Sequence, residues 1–168
     1  MLDREIKVGI IDLGINNIQS ISNAYKTIGC KVQIIKKKQN FSNLNLIILP
    51  GVGSYKKGMQ KLKLLNIEKD LKNFLSRGPK NIVVGICLGM QLLFDQSFEF
   101  GRTKGMKLIK GDVLPFNLKK CKIIPHMNWS KLIKIKKDKI FNEFDKKSFY
   151  FVHSFYCIPF DKETIIAK

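Results

Sequence analysis

Residues 81–94 read Asn-Ile-Val-Val-Gly-Ile-Cys-Leu-Gly-Met-Gln-Leu-Leu-Phe. The run Ile82–Ile86 suits a short strand, and an apolar pattern of helical spacing follows it at once. The chain must therefore turn sharply from strand to helix at Cys87, between Gly85 and Gly89. Glycine two positions either side allows so tight a turn, as in the Gly-x-nucleophile-x-Gly elbow of hydrolases. A thiol at that corner faces the positive end of a helix, which favours an anionic sulfur. Thiolate is the form that attacks carbonyl carbon. The competing reading makes Cys87 a small buried residue that only packs.

Strand and helix signals alternate on both sides of this elbow. Lys7–Asp12 reads as a buried strand with Gly14 as the turn after it. Asn16 or Asn17 can cap a helix whose apolar positions are Ile18, Ile21, Tyr25 and Ile28, and Gly29 ends it. Val32–Ile35 and Leu46–Leu49 are further strands. Leu62, Leu65, Leu71, Phe74 and Leu75 mark one amphipathic helix closed by Gly78-Pro79, and Leu88–Phe94 marks the helix after the elbow. Such alternation implies an α/β fold with a mostly parallel sheet covered on both faces. Reactive groups gather at the carboxyl ends of such strands. Three turns fall on that edge: Gly14–Asn17, Pro50–Gly53 and Gly85–Gly89.

After Gly101 the strands shorten, with signals around Leu108–Ile109, Lys131–Ile135, Phe149–Val152 and Thr164–Ala167. They suit an antiparallel extension of the same domain. No repeat or low-complexity linker divides the chain, so one domain is expected over residues 1–168.

Composition narrows the function. With 168 residues, 45% of them hydrophobic, the chain can bury a substantial core. No apolar run approaches the roughly 18–20 residues that span a bilayer. Met1–Glu5 carries both charge signs and is no signal peptide. Cys30, Cys87, Cys121 and Cys157 form no CxxC pair, which suits reduced thiols in a cytoplasm rather than disulfides or a metal site. The net charge is +18, yet only Arg4, Arg77 and Arg102 are arginines. Specific nucleic-acid contacts favour arginine forks, whereas these lysines are scattered, as in Lys36–Lys38, Lys119-Lys120, Lys136-Lys137 and Lys146-Lys147. Abundant lysine, isoleucine and asparagine read as a bias of genomic base composition, and no nucleic-acid partner is expected. A basic surface suits steering of anionic ligands or an acidic partner.

Leu49-Pro50-Gly51-Val52-Gly53 follows a buried strand, and its glycines permit close backbone approach to a ligand. Backbone N–H groups there, with that of Leu88 just after the nucleophile, suit an oxyanion hole. The alternative is a tight loop whose glycines serve packing. A thiol nucleophile usually needs a histidine base. The chain offers His126, in Pro-His-Met-Asn-Trp, and His153, in Tyr-Phe-Val-His-Ser-Phe. By sequence alone either histidine suits the role, or both are structural and bond the backbone.

Ile11–Gly14, Leu49–Gly53, Gly85–Phe94, Pro125–Trp129 and Tyr150–Phe155 together resemble the glutaminase-subunit family of imidazole glycerol phosphate synthases. These are class I, triad-type glutamine amidotransferases, and the resemblance runs over essentially the whole chain. Gly-Ile-Cys-Leu-Gly-Met-Gln-Leu-Leu points to the triad amidotransferases, and Pro-His-Met-x-Trp with Phe-Val-His-Ser-Phe points to this branch. The resemblance implies a flavodoxin-like three-layer sandwich around a mostly parallel mixed sheet, with antiparallel strands in the C-terminal third. It implies hydrolysis of glutamine to glutamate and ammonia, with no cofactor or metal. The ammonia passes to a (β/α)8-barrel cyclase that makes imidazole glycerol phosphate and aminoimidazole carboxamide ribonucleotide in histidine biosynthesis.

By position, Cys87 resembles the nucleophile that forms the glutamyl thioester, and the Val52 and Leu88 amides resemble the oxyanion hole. Gly53, Gln91 and Glu99 match glutamine-binding positions, Glu99 suiting the substrate ammonium. Ser154 and Phe155 match the backbone that lines the same pocket. Asn17, Trp129 and Tyr150 match positions facing the cyclase and the ammonia gate.

The resemblance also shows departures. The family's triad histidine and glutamate lie in a Phe-His-Pro-Glu segment that these 168 residues lack, and His126 and His153 match other positions. The expectation is a domain without its C-terminal portion, with little glutaminase activity by itself. A non-catalytic docking subunit is the alternative. Leu13 stands where the family commonly has tyrosine, and Asn128 where it commonly has glycine. These leave open a paralogous branch that feeds ammonia to the amination of surface-polysaccharide sugars.

Overall fold

The computed structural model describes residues 5–15, 17–39, 41–117, 123–138 and 141–168. Residues 1–4, Asn16, Lys119, Lys120 and Cys121 lie outside them. Four parallel strands form the first sheet: β1 (Lys7–Ile11), β2 (Lys31–Ile35), β3 (Leu46–Gly51) and β4 (Ile82–Cys87), in the order β2-β1-β3-β4.

Alternation of side chains along these strands sets the layers. Val8, Ile10 and Ile48 project to one face and pack against Ile18, Ile21 and Tyr25 of α1 (Ile18–Thr27). Ile11, Ile47 and Leu49 project to the other. There they meet Tyr55, Met59 and Leu62 of α2 (Tyr55–Leu65) and Leu71 and Phe74 of α3 (Glu68–Ser76). Leu88 and Leu92 of α4 (Leu88–Leu92) close the same core. The expected three layers are present. Each fully buried leucine or isoleucine here stabilises the fold by about 1.5–3 kcal/mol.

A second sheet continues from α4. It contains β5 (Phe94–Ser97), β6 (Thr103–Lys104), β7 (Ile109–Pro115) and β10 (Phe155–Pro159), ordered β10-β7-β5-β6. Only its β5–β7 pair is parallel. Between β7 and β10 in the chain, β8 (His126–Lys131) and β9 (Ser148–His153) form a two-stranded antiparallel ladder.

Several elements depart from expectation. The single helix read through Leu62–Leu75 is two helices, because Asn66 takes the left-handed conformation (φ 52°, ψ 41°) and ends α2. Asparagine tolerates that conformation, and the apolar periodicity runs on across the break. The helix after the elbow stops at Leu92, and Phe94 already belongs to β5. The strand expected at Lys131–Ile135 lies earlier, as β8. Beyond it Lys134 makes one isolated bridge to Ala167, so Thr164–Ala167 is no full strand. Ile28, counted on the apolar face of α1, is 71% exposed. No described helix is long and apolar enough to cross a membrane.

Candidate active site

Strand β4 delivers Cys87 to the carboxyl edge of the parallel sheet, and α4 starts at the next residue. Cys87 has φ 53° and ψ −117°, a conformation that L side chains rarely adopt. Contacts on both sides hold it there. A side-chain carbon at Gly85 would lie 2.5 Å from the Met90 Cα, and one at Gly89 only 1.7 Å from the Leu49 carbonyl oxygen. Only glycine at these two positions lets α4 sit down on β3 and β4. Cys87 itself is exposed, which removes the reading of a buried packing thiol.

Strand β3 ends in register with the elbow, Gly51 opposite Cys87. Val52 follows β3 and Leu88 follows β4, so both leave the sheet edge at the same level. Val52 is 56% exposed, Leu88 is buried, and Gly53 takes φ +95°. After this loop α2 begins at Tyr55, whose N–H donates to the Glu99 carboxylate. The Glu99 N–H in turn donates to Oγ of the fully buried Ser97 at 3.1 Å. Glu99 is thus anchored at the start of α2, directly behind the Pro50–Gly53 loop.

On α4, the Gln91 amide donates through Nε2 to the Phe155 carbonyl at 3.3 Å. The neighbouring Ser154 carbonyl accepts the Phe116 N–H. Cys87, the 51–54 loop, Gln91, Glu99 and Ser154–Phe155 come from separate parts of the chain and are linked here through α4 and α2. The remaining positions serve elsewhere. Asn17 caps α1, its Oδ1 accepting the Ser20 N–H at 3.3 Å. Trp129 and Tyr150 are directly opposed in the β8–β9 ladder, their rings 5.8 Å apart, and are 67% and 52% exposed.

Both histidines are engaged away from the thiol. His126 Nδ1 and His153 Nε2 are 3.1 Å apart, and His153 Nδ1 donates to the Phe155 carbonyl at 2.9 Å. The backbone-bonding reading holds for His153, while His126 bonds His153 and Ser130 Oγ instead. Sequence reasoning overlooked Cys157. Burial pushes its thiol up to about 12, and the nearby Cys87 adds to the shift. Burial likewise raises the Tyr55 phenol, with Cys157 and Asp95 contributing. Among the described residues no group of three or more His, Cys, Asp or Glu gathers to hold a metal. Two surface hollows, of about 290 and 240 Å³, lie beside Asp12, Lys36 and Lys61 and beside Asp95, Arg102 and Lys104. Cys87 lines neither.

An exposed cysteine stands at a strained strand–helix elbow, beside a glycine loop on an α/β sheet. The family of class-I glutamine amidotransferases matches residues 9–168, and the chain belongs to it.

Within that family it is similar to proteins named imidazole glycerol phosphate synthase subunit HisH. It is 36% identical to that of Prochlorococcus marinus, over 97% of this chain and 76% of the relative. It is 40% identical to that of Caldanaerobacter subterraneus, over 89% and 72%. With subunit HisH 1 of Campylobacter jejuni the identity is 38%, over 96% and 80%. The chain thus spans about three quarters of these relatives' length.

Among solved structures, PurLQS from Thermotoga maritima superposes with a TM-score of 0.71 at 22% identity, covering 98% of this chain and 74% of that one. A glutamine amidotransferase superposes at 0.68 with 16% identity, covering 96% and 79%. At these identities the likeness is one of fold, the flavodoxin-like sandwich of the family.

Proposed function

We propose that this chain is a HisH-type glutaminase subunit, which releases ammonia from glutamine for a (β/α)8-barrel cyclase of histidine biosynthesis. The observation that carries the reading is the exposed Cys87 at φ 53°, in register with Gly51. Its sulfur attacks the side-chain amide carbon of glutamine. The Val52 and Leu88 N–H groups take the oxygen that becomes negative, where fixed donors are worth most. The C–N bond then breaks as the departing nitrogen takes a proton from water, ammonia leaves, and water hydrolyses the glutamyl thioester to glutamate and the free thiol.

Glu99 supports the substrate end of this reading. Its carboxylate, anchored at the start of α2, is suited to the α-ammonium of glutamine. Gln91, which donates to the Phe155 carbonyl, is assigned to glutamine binding together with Gly53 and the Ser154–Phe155 backbone. Neither His126 nor His153 is assigned as the general base, since each is already committed to other partners. Asn17, Trp129 and Tyr150 are assigned to the cyclase face, and the two aromatic residues present an exposed pair for it.

Protection tests the reading directly. Alkylation of Cys87 by a chloroketone analogue of glutamine, which forms an S–C bond as chloride leaves, should saturate and be blocked by glutamine but not by asparagine. Labelling that neither saturates nor yields to glutamine overturns it. With the cyclase present, Cys87→Ala should abolish any glutamine-dependent turnover that the parent chain supports and leave ammonia-dependent turnover intact, whereas a parent chain that supports none is the non-catalytic docking subunit. An acceptor sugar in place of the cyclase substrate would mark the paralogous branch that Leu13 and Asn128 leave open.

A further inference from the structure

The two histidines form the centre of a continuous hydrogen-bonded line. His126 and His153 are cross-strand partners at the end of the β8–β9 ladder. Ser130 Oγ lies 3.2 Å from His126 Nε2, His126 Nδ1 lies 3.1 Å from His153 Nε2, and His153 Nδ1 lies 2.9 Å from the Phe155 carbonyl oxygen. That same oxygen accepts Gln91 Nε2. Phe116 packs against both imidazoles, and Phe151 stacks on His126.

Chemistry sets the direction of this line. A carbonyl oxygen only accepts, so the proton of a neutral His153 sits on Nδ1. Its Nε2 then offers a lone pair, and His126 must donate from its own Nδ1. His126 Nε2 is left to accept the Ser130 hydroxyl. With both rings neutral, one proton placement satisfies every member.

The Phe155 carbonyl needs these partners because the sheet supplies none. Strand β10 is an edge strand, and Phe116 N–H donates to the Ser154 carbonyl. The next pair, Phe155 with Pro115, is therefore of the non-bonded type, and the Phe155 carbonyl points off the edge. Among the described residues, the side chains of His153 and Gln91 hold it.

We propose that His126 and His153 are positioning residues of the glutamine pocket, holding the Phe155 carbonyl that orients the Gln91 amide. The inference rests on the glutaminase reading above. With Nε2 bonded to a fixed carbonyl, the Gln91 amide cannot flip, and it presents one pattern of donor and acceptor to the substrate. The line thereby ties the inner face of the β8–β9 ladder to the helix that follows the nucleophile.

Two conservative variants separate this role from bulk packing. His153→Asn places an amide N–H where Nδ1 donates, whereas His153→Gln places its amide nearer Nε2 and loses the bond to Phe155. Cys87 alkylation by the glutamine chloroketone is followed in each, with iodoacetamide as a probe that needs no pocket. The expected result is half-saturation within about twofold of the parent chain for Asn and about tenfold higher for Gln, a loss of one hydrogen bond. Iodoacetamide rates should stay unchanged in both. Equal half-saturation in all three chains, or equal impairment in both variants, overturns the proposal.

Imidazole ¹⁵N spectra of the unmutated chain supply a measurement that no folding defect can confuse. Both rings should appear as the Nδ1–H tautomer, and a His153 protonated on Nε2 alone overturns the proposal. If the unmutated chain shows no glutamine protection, the glutaminase reading itself falls and this inference with it. Protection with indifferent variants removes only the histidines' role.

Discussion

Gly89 lies so close to Leu49 that a side-chain carbon on it would sit 1.7 Å from the Leu49 carbonyl oxygen. The obstacle is backbone, which cannot swing aside as a side-chain tip can. Gly89→Ala should therefore lift α4 off β3 and destabilise the fold by about 3 kcal/mol or more. A urea titration measures the loss, and a midpoint within experimental scatter of the parent refutes this account of the elbow.

Cys87 occupies its unusual backbone conformation at a cost. Glycine adopts positive φ without the steric penalty, so Cys87→Gly should be more stable than Cys87→Ala by about 1 kcal/mol. Neither variant can be alkylated at position 87. Equal denaturation midpoints for the two would show that the turn stores no strain.

Glu99 has two jobs that substitutions can separate. Its carboxylate accepts the Tyr55 N–H, and it is assigned to the ammonium of glutamine. Glu99→Gln keeps an acceptor oxygen for Tyr55 but loses the charge. It should leave stability within about 0.5 kcal/mol while weakening glutamine protection of Cys87 by about tenfold or more. Glu99→Ala should lose both, with about 1 kcal/mol of stability. Undiminished protection in Glu99→Gln removes the carboxylate from substrate binding.

The alkaline limb of stability should report Cys157. Its thiol is raised from 9.0 to about 12, burial first and the neighbouring Cys87 second. Above pH 9 the unfolded chain releases this proton while the folded chain keeps it, so rising pH favours unfolding. The contribution is whole below pH 9 and is lost progressively as pH climbs toward 12. Cys157→Ala should flatten the fall in urea midpoint between pH 9 and 11 relative to the parent. Parallel curves for the two chains count against the shift. In the native state at pH 8, iodoacetamide should modify Cys87 well before Cys157.

Much of the site was readable because its requirements are local. The spacing Gly85-x-Cys87-x-Gly89 already demanded a sharp turn, and the structure adds the backbone contacts that enforce it. The two-sided burial of β1 and β3 and a cap at Asn16 or Asn17 were legible for the same reason, and the structure shows Asn17 in that role. The break at Asn66 was not, since its left-handed turn leaves the apolar spacing undisturbed. Nor was β5, whose Phe-Asp-Gln-Ser has no strand pattern and is fixed between β6 and β7 by pairing with both.

By itself the sequence determined the parallel α/β layers, the position of the strand–helix elbow at Cys87 and the family to which the chain belongs. Those follow from hydrophobic period and from glycines whose backbone freedom acts over a few residues. Only the tertiary structure decided that Glu99 meets Tyr55, that Gln91 shares the Phe155 carbonyl with His153, and that His126 faces His153. Separations of 27 to 64 residues in the chain are closed by strand register and by helix seating. Register is a property of paired strands, and no local pattern in either strand contains it.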